Sequence, residues 1–159
     1  IIHLVFRFSD RLLKINDTVL EHNKIIEKYG AVWFAKLGKP VGKPHIESMR
    51  AQIEDSIPTY LYIVQKQSGA YIYYRGSVSE ITKDTPLHEK ELFPNYYSLK
   101  FDVTQVKFWT KLTQLVKVEE DEIRQLRSIS SSVPLPNTLA SSMAGFFIVR
   151  RYERIRLAR

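Results

Sequence analysis

The spacing of apolar residues changes period several times along the chain, and each change marks an element. HLVFRF, His3 to Phe8, predicts a short strand with Arg7 on its alternate face, ended by Ser9 and Asp10 at a loop mouth. Thr18 with Glu21 forms a capping box. Val19, Leu20, His22, Asn23, Ile26 and Tyr29 then continue at near-helical spacing until Gly30 stops the helix. Ala31 to Phe34 predicts a second strand. A second helix opens near Pro44, runs through Ile46, Met49, Arg50 and Ile53, and ends by Pro58.

From Thr59 the period is two. Tyr60, Tyr62 and Val64 alternate with Leu61 and Ile63, Ser68 and Gly69 supply a hairpin turn, and Tyr71 to Val78 returns. Gly76 falls inside that strand and marks a bulge or barrel bend. Lys83 to Asn95 is polar with two prolines and reads as a surface loop. Tyr97, Leu99, Phe101 and Val103 alternate as a further strand, followed by another from Val106 to Val118. The acidic run Glu119 to Glu122 starts a short helix, since carboxylates suit a helix N-terminus. SISSSVPLPNTLASS reads as a Ser- and Pro-rich loop before a last strand, GFFIVRR. The expected fold is α+β: a curved β-barrel of six to seven strands with two to three peripheral helices. No internal repeat or second domain is evident, so residues 1–152 form one domain.

With 44% hydrophobic and 26% charged residues the chain has the composition of a folded domain. The apolar runs fall well short of the ~20 residues of a transmembrane helix, which predicts no membrane association and a cytoplasmic location. The chain opens at Ile1 and ends in RRYERIRLAR, so it reads as a piece of a longer protein, with residues 153–159 a basic linker to a downstream domain. The 24 Lys and Arg against 17 Asp and Glu give a net charge of +7, which favours a polyanionic partner.

Catalytic chemistry is not visible. There is no Cys, the four histidines lack metal-ligand spacing, and no GxSxG elbow occurs. GKPVGK lacks the Ser or Thr of a phosphate-cradling P-loop. Asp84, Glu89 and Glu91 lie in the long loop rather than on adjacent strand ends, as a nuclease site would want. The expectation is a binding domain with no cofactor, no metal and no catalytic residue.

The stretch that invites a ligand is GAVWFAKLGKPVGK, Gly30 to Lys43. A large aromatic beside Lys36, Lys39 and Lys43 on a glycine-loosened loop is what stacking on a base while holding phosphates requires. If Val32 and Phe34 face the barrel interior, Trp33 points away from it, toward the side where the lysine loop leaves. That ranks it above Trp109, whose neighbours Phe108 and Leu112 explain it as core.

FRFSD, KYGAVWFAK, HIESMRAQIED and the hairpin PTYLYIVQKQSGAYIYYRGSV together resemble the YTH and EVE branch of the PUA-like fold. With VWFAKLGKP and SSMAGFFIV, the pattern is also similar to the N-terminal domains of archaeal McrB proteins, the GTP-driven AAA+ subunits of modification-dependent restriction systems. The resemblance implies that Trp33 is a cage tryptophan, that Phe34 contacts a flipped base through its backbone, and that Ser9 and Asp10 touch the base edge. LKFDV aligns with the strand of the second cage tryptophan, where this chain has Val103. Either Tyr60, Tyr62, Tyr97 or Trp109 completes the cage, or the ligand is not a methylated adenine of the YTH type. Lys36, Lys39, Lys43 and Arg75 are the expected phosphate contacts.

The resulting expectation is a DNA-specificity domain that flips a modified base into an aromatic pocket. The full-length protein would be a homo-oligomeric ring with a GTP-dependent motor and a nuclease partner. An RNA-binding PUA-like or YTH-like module is one alternative, and a protein-interaction domain presenting exposed tyrosines is another.

Overall fold

The structure, a computed structural model, describes residues 1–10 and 17–152. The linker read at 153–159 lies outside the described residues. Seven strands form one mixed sheet in the order β2-β5-β4-β3-β1-β7-β6. They are β1 His3–Arg7, β2 Val32–Ala35, β3 Tyr60–Gln67, β4 Ala70–Thr82, β5 Trp109–Val118, β6 Leu126–Ser128 and β7 Phe146–Arg151. β1 runs parallel to β3, and the other pairings are antiparallel.

Two twelve-residue helices, α1 Thr18–Tyr29 and α2 Lys43–Glu54, connect the first three strands. Asp17, not Thr18, caps α1: its carboxylate accepts the Leu20 N–H at 3.0 Å. Gly30 ends that helix at φ +85°, where its N–H reaches the Ile26 carbonyl at 2.7 Å. Three short helices follow, α3 Tyr97–Lys100, α4 Glu120–Arg124 and α5 Leu135–Ser141.

The sheet is strongly curled. β2 and β1 are four inter-strand steps apart, which across a flat sheet is about 19 Å. Yet the rings of Phe34 on β2 and Phe6 on β1 lie 6.2 Å apart, centroid to centroid. Between them the concave face encloses the main core, where Leu4, Leu61, Ile63 and Leu112 are fully buried beside Ile46 and Met49 of α2. Gly76 on β4 leaves room for Leu112 in this core, because a Cβ there would sit 2.9 Å from a Leu112 methyl. The irregularity expected at Gly76 falls just after it, between Ser77 and Glu80.

Three further sequence expectations change. Tyr97 to Val103 is not a strand but α3, followed by a 3₁₀ turn over Val103–Gln105. The polar segment Lys83 to Asn95 is not simply a surface loop: it holds a 3₁₀ helix over Leu87–Leu92 and buries Leu92 and Phe93. The Ser- and Pro-rich segment contains α5, whose Leu135 and Leu139 pack with Ile123 and Leu126. Among the described residues, no helix is long and apolar enough to cross a membrane.

Candidate functional site

The main core is open at one end, where β1 and β2 run out. A cleft of about 180 Å³ lies there, between the ends of those strands, the start of α1 and the α3 segment. Phe6 and Phe34 form its floor and are nearly buried, while Phe8, Tyr96 and Phe101 line it and are only half-buried. An engineered cavity of about 150 Å³ holds a benzene ring, so this volume suits a single planar ring system.

The cleft wall is fixed by hydrogen bonds that run into the core. Tyr97 is buried, and its hydroxyl accepts the Ala35 N–H at 3.0 Å. The same hydroxyl lies 2.8 Å from His22 Nε2, and His22 Nδ1 lies 2.7 Å from the Thr18 carbonyl. A carbonyl can only accept, so Nδ1 carries the proton and Nε2 accepts from Tyr97. Burial holds the His22 pKa down to about 4, which keeps the ring neutral and this arrangement intact. The same burial pushes the Tyr97 hydroxyl well above its ordinary value.

Lys36 stands over the mouth. Its ammonium is 4.6 Å from the Phe146 ring centroid and 5.7 Å from that of Phe6, within cation–π range. It also donates to the carbonyls of Leu37 and Lys39, and burial lowers its pKa. Lys39 and Lys43 are exposed on the adjoining loop, Lys43 with a loose contact to Glu47 at 3.8 Å.

Of the residues singled out from sequence, Ser9, Phe34, Lys36 and Tyr97 line the cleft. Asp10 stands beside it and is committed to the scaffold: its carboxylate accepts the Thr18 N–H and a Gln65 amide proton, both at 3.0 Å. Trp33 is elsewhere. It points away from Phe34 as the alternation requires, but that side is not solvent. The 3₁₀ helix and α3 cover it, and Trp33 is fully buried with Ala31, Phe93 and Trp109. Its indole N–H donates to Glu89 at 3.3 Å, and Lys111, paired with Glu89 at 3.0 Å, lies over the ring.

Trp109 stacks on Phe93 in that same cluster, at 4.9 Å and 19°. Tyr60 and Tyr62 are on the convex side of β3, beside His3 and away from the cleft. Arg75 accompanies them, with its guanidinium 2.6 Å from Glu122 and over the Tyr60 ring. It is an ion-paired structural residue, and the geometry gives it no part in the lysine loop.

Phe6, Phe8, Tyr96 and Phe101 were not singled out from sequence. The first two are signalled by the period of β1, since alternate residues running past the strand end reach one mouth. Phe101 comes from the same LKFDV segment that places Val103 where a second cage aromatic is expected.

A Pua-like family profile matches residues 4–148. No curated protein and no solved structure gives a significant match. Since the profile spans nearly the entire chain and the curled mixed sheet agrees with it, the chain belongs to the Pua-like family.

Proposed function

We propose that this is the nucleic-acid-binding specificity domain of a McrB-type restriction protein, taking a modified base of DNA, flipped from the duplex, into the cleft between β1 and β2. The observation that carries the reading is the set of half-exposed rings, Phe8, Tyr96 and Phe101, gathered around a cleft of one-base size with Lys36 at its mouth. Exposed aromatics on a concave surface are costly to leave in water and are what a base stacks on.

Magnitudes favour this division of labour. Extruding a base costs a few kcal/mol, and each stacking contact returns ~1–3 kcal/mol, so two rings in contact roughly offset the extrusion. Net affinity then comes from phosphates, for which Lys39 and Lys43 lie exposed beside the mouth. In the full-length protein this domain would deliver modified DNA to a GTP-dependent AAA+ ring and its nuclease partner.

Equilibrium binding to methylated duplex DNA, unmodified duplex and RNA of equal sequence, each across a salt series, tests the reading. It expects tightest binding to the methylated duplex and a steep fall with salt. Preference for RNA would move the function to an RNA-binding Pua-like module, and salt-independent behaviour would point to protein contacts instead.

A further inference from the structure

Met143 is 99% exposed, an apolar side chain standing entirely in solvent. It sits between α5 and β7, two residues before Gly145, which lines the cleft. Its backbone is held firmly. Arg7, itself a lining residue, donates from Nε to the Ala144 carbonyl at 2.9 Å and from Nη2 to the carbonyls of Ser142 at 2.6 Å and Leu139 at 2.7 Å. The Arg7 main-chain N–H adds a bond to the Gly145 carbonyl at 2.9 Å, and the Ala144 N–H closes a turn on the Ser142 hydroxyl at 3.2 Å.

Carbonyls on both sides of Met143 are therefore clamped by one guanidinium. A half-buried Arg is a large investment for a loop tip, and what the clamp presents to solvent at that tip is a single unbranched thioether. Met is among the apolar side chains, with Leu, Ile and Phe, that serve as wedges between base steps where a protein unstacks and kinks a duplex. Met is also flexible enough to fit an irregular gap.

We infer that Met143 is a duplex-inserting wedge, entering the stack beside the nucleotide whose base occupies the cleft. This rests on the cleft reading given above. Arg7 couples the two functions, since it is a lining residue of the cleft and its guanidinium fixes the wedge.

The test is equilibrium binding of the parent protein, Met143→Ala, Met143→Phe and Phe101→Ala to a methylated duplex and to the matching methylated single strand. Met143→Ala should lose about tenfold on the duplex and nothing on the single strand, where no stack needs filling. Met143→Phe should keep the duplex affinity. Unchanged duplex binding by Met143→Ala, as a protein-contact residue would give, overturns the inference, and so does an equal loss on both forms. Failure of the cleft reading looks different: Phe101→Ala then binds both forms as the parent does, and both proposals fall together.

Discussion

The Tyr97 hydroxyl accepts the Ala35 N–H at 3.0 Å while it gives its own proton to His22 Nε2 at 2.8 Å. One buried atom thereby ties α3, β2 and α1 together at the back of the cleft. Tyr97→Phe strands both partners, and a buried polar group left unpaired costs about 1–3 kcal/mol. The expected result is a melting temperature lower by several degrees, read by thermal unfolding, with the cleft aromatics still present. An unchanged melting temperature would mean that water takes the place of the hydroxyl.

Acid should unfold the protein through its histidines before its carboxylates. Burial holds both His22 and His3 near a pKa of about 4, against 6.5 when unfolded. The unfolded chain therefore binds more protons between those values, so the stability is complete above about pH 6.5 and is lost as pH falls through the window. At pH 5 each ring accounts for a loss of roughly 2 kcal/mol. Urea midpoints at about pH 7.5 and pH 5 read this directly, and His3→Gln should show about half the loss. A midpoint flat over that interval contradicts the assignment of neutral, buried rings.

Trp33 and Phe101 should behave as opposites. Trp33 is enclosed on every side, so Trp33→Ala should cost about 3–5 kcal/mol of stability with little selective effect on binding. Phe101 is half-buried at the cleft, so Phe101→Ala should cost less stability but ~1–3 kcal/mol of binding. Melting and binding measured on both variants separate the roles; a Trp33→Ala protein that melts normally and loses its ligand would reverse them.

The elements with strong local chemistry were legible in the sequence. Gly30 ends α1 because only a left-handed residue satisfies that turn, and Ser68 with Gly69, both at positive φ, closes the hairpin. α3 was not legible, because Tyr97, Leu99, Phe101 and Val103 alternate as a strand would; only tertiary packing buries Tyr97 while leaving Leu99 81% exposed. Trp33 was misplaced for a related reason. Alternation correctly separates it from Phe34, but it cannot report that a segment sixty residues on covers the second face of β2, making both faces interior. Phe34 and Lys36 lie two residues apart where β2 ends, so local sequence alone brings both to the cleft. Phe8, Tyr96 and Phe101 meet there only through the fold.

The cations divide by partner. Lys36, Lys39 and Lys43 lie on the loop beside the cleft, so replacing all three by Ala should flatten the salt dependence of DNA binding by up to about three units, whatever the sequence bound. Arg75 is paired with Glu122 and lies over the Tyr60 ring. Arg75→Ala should lower stability through the stranded Glu122 and leave the salt slope unchanged. A slope that responds to Arg75 instead would place the phosphates on the convex face.

The ratio of affinities for methylated and unmodified duplex, measured side by side on the parent protein and on a Tyr96→Ala, Phe101→Ala double variant, decides whether the cleft reads the modification. The cleft reading predicts a clear preference for the methylated duplex in the parent and a ratio near one in the variant, with residual salt-dependent binding retained through the lysine loop. A ratio that is unchanged by removing both rings would contradict it.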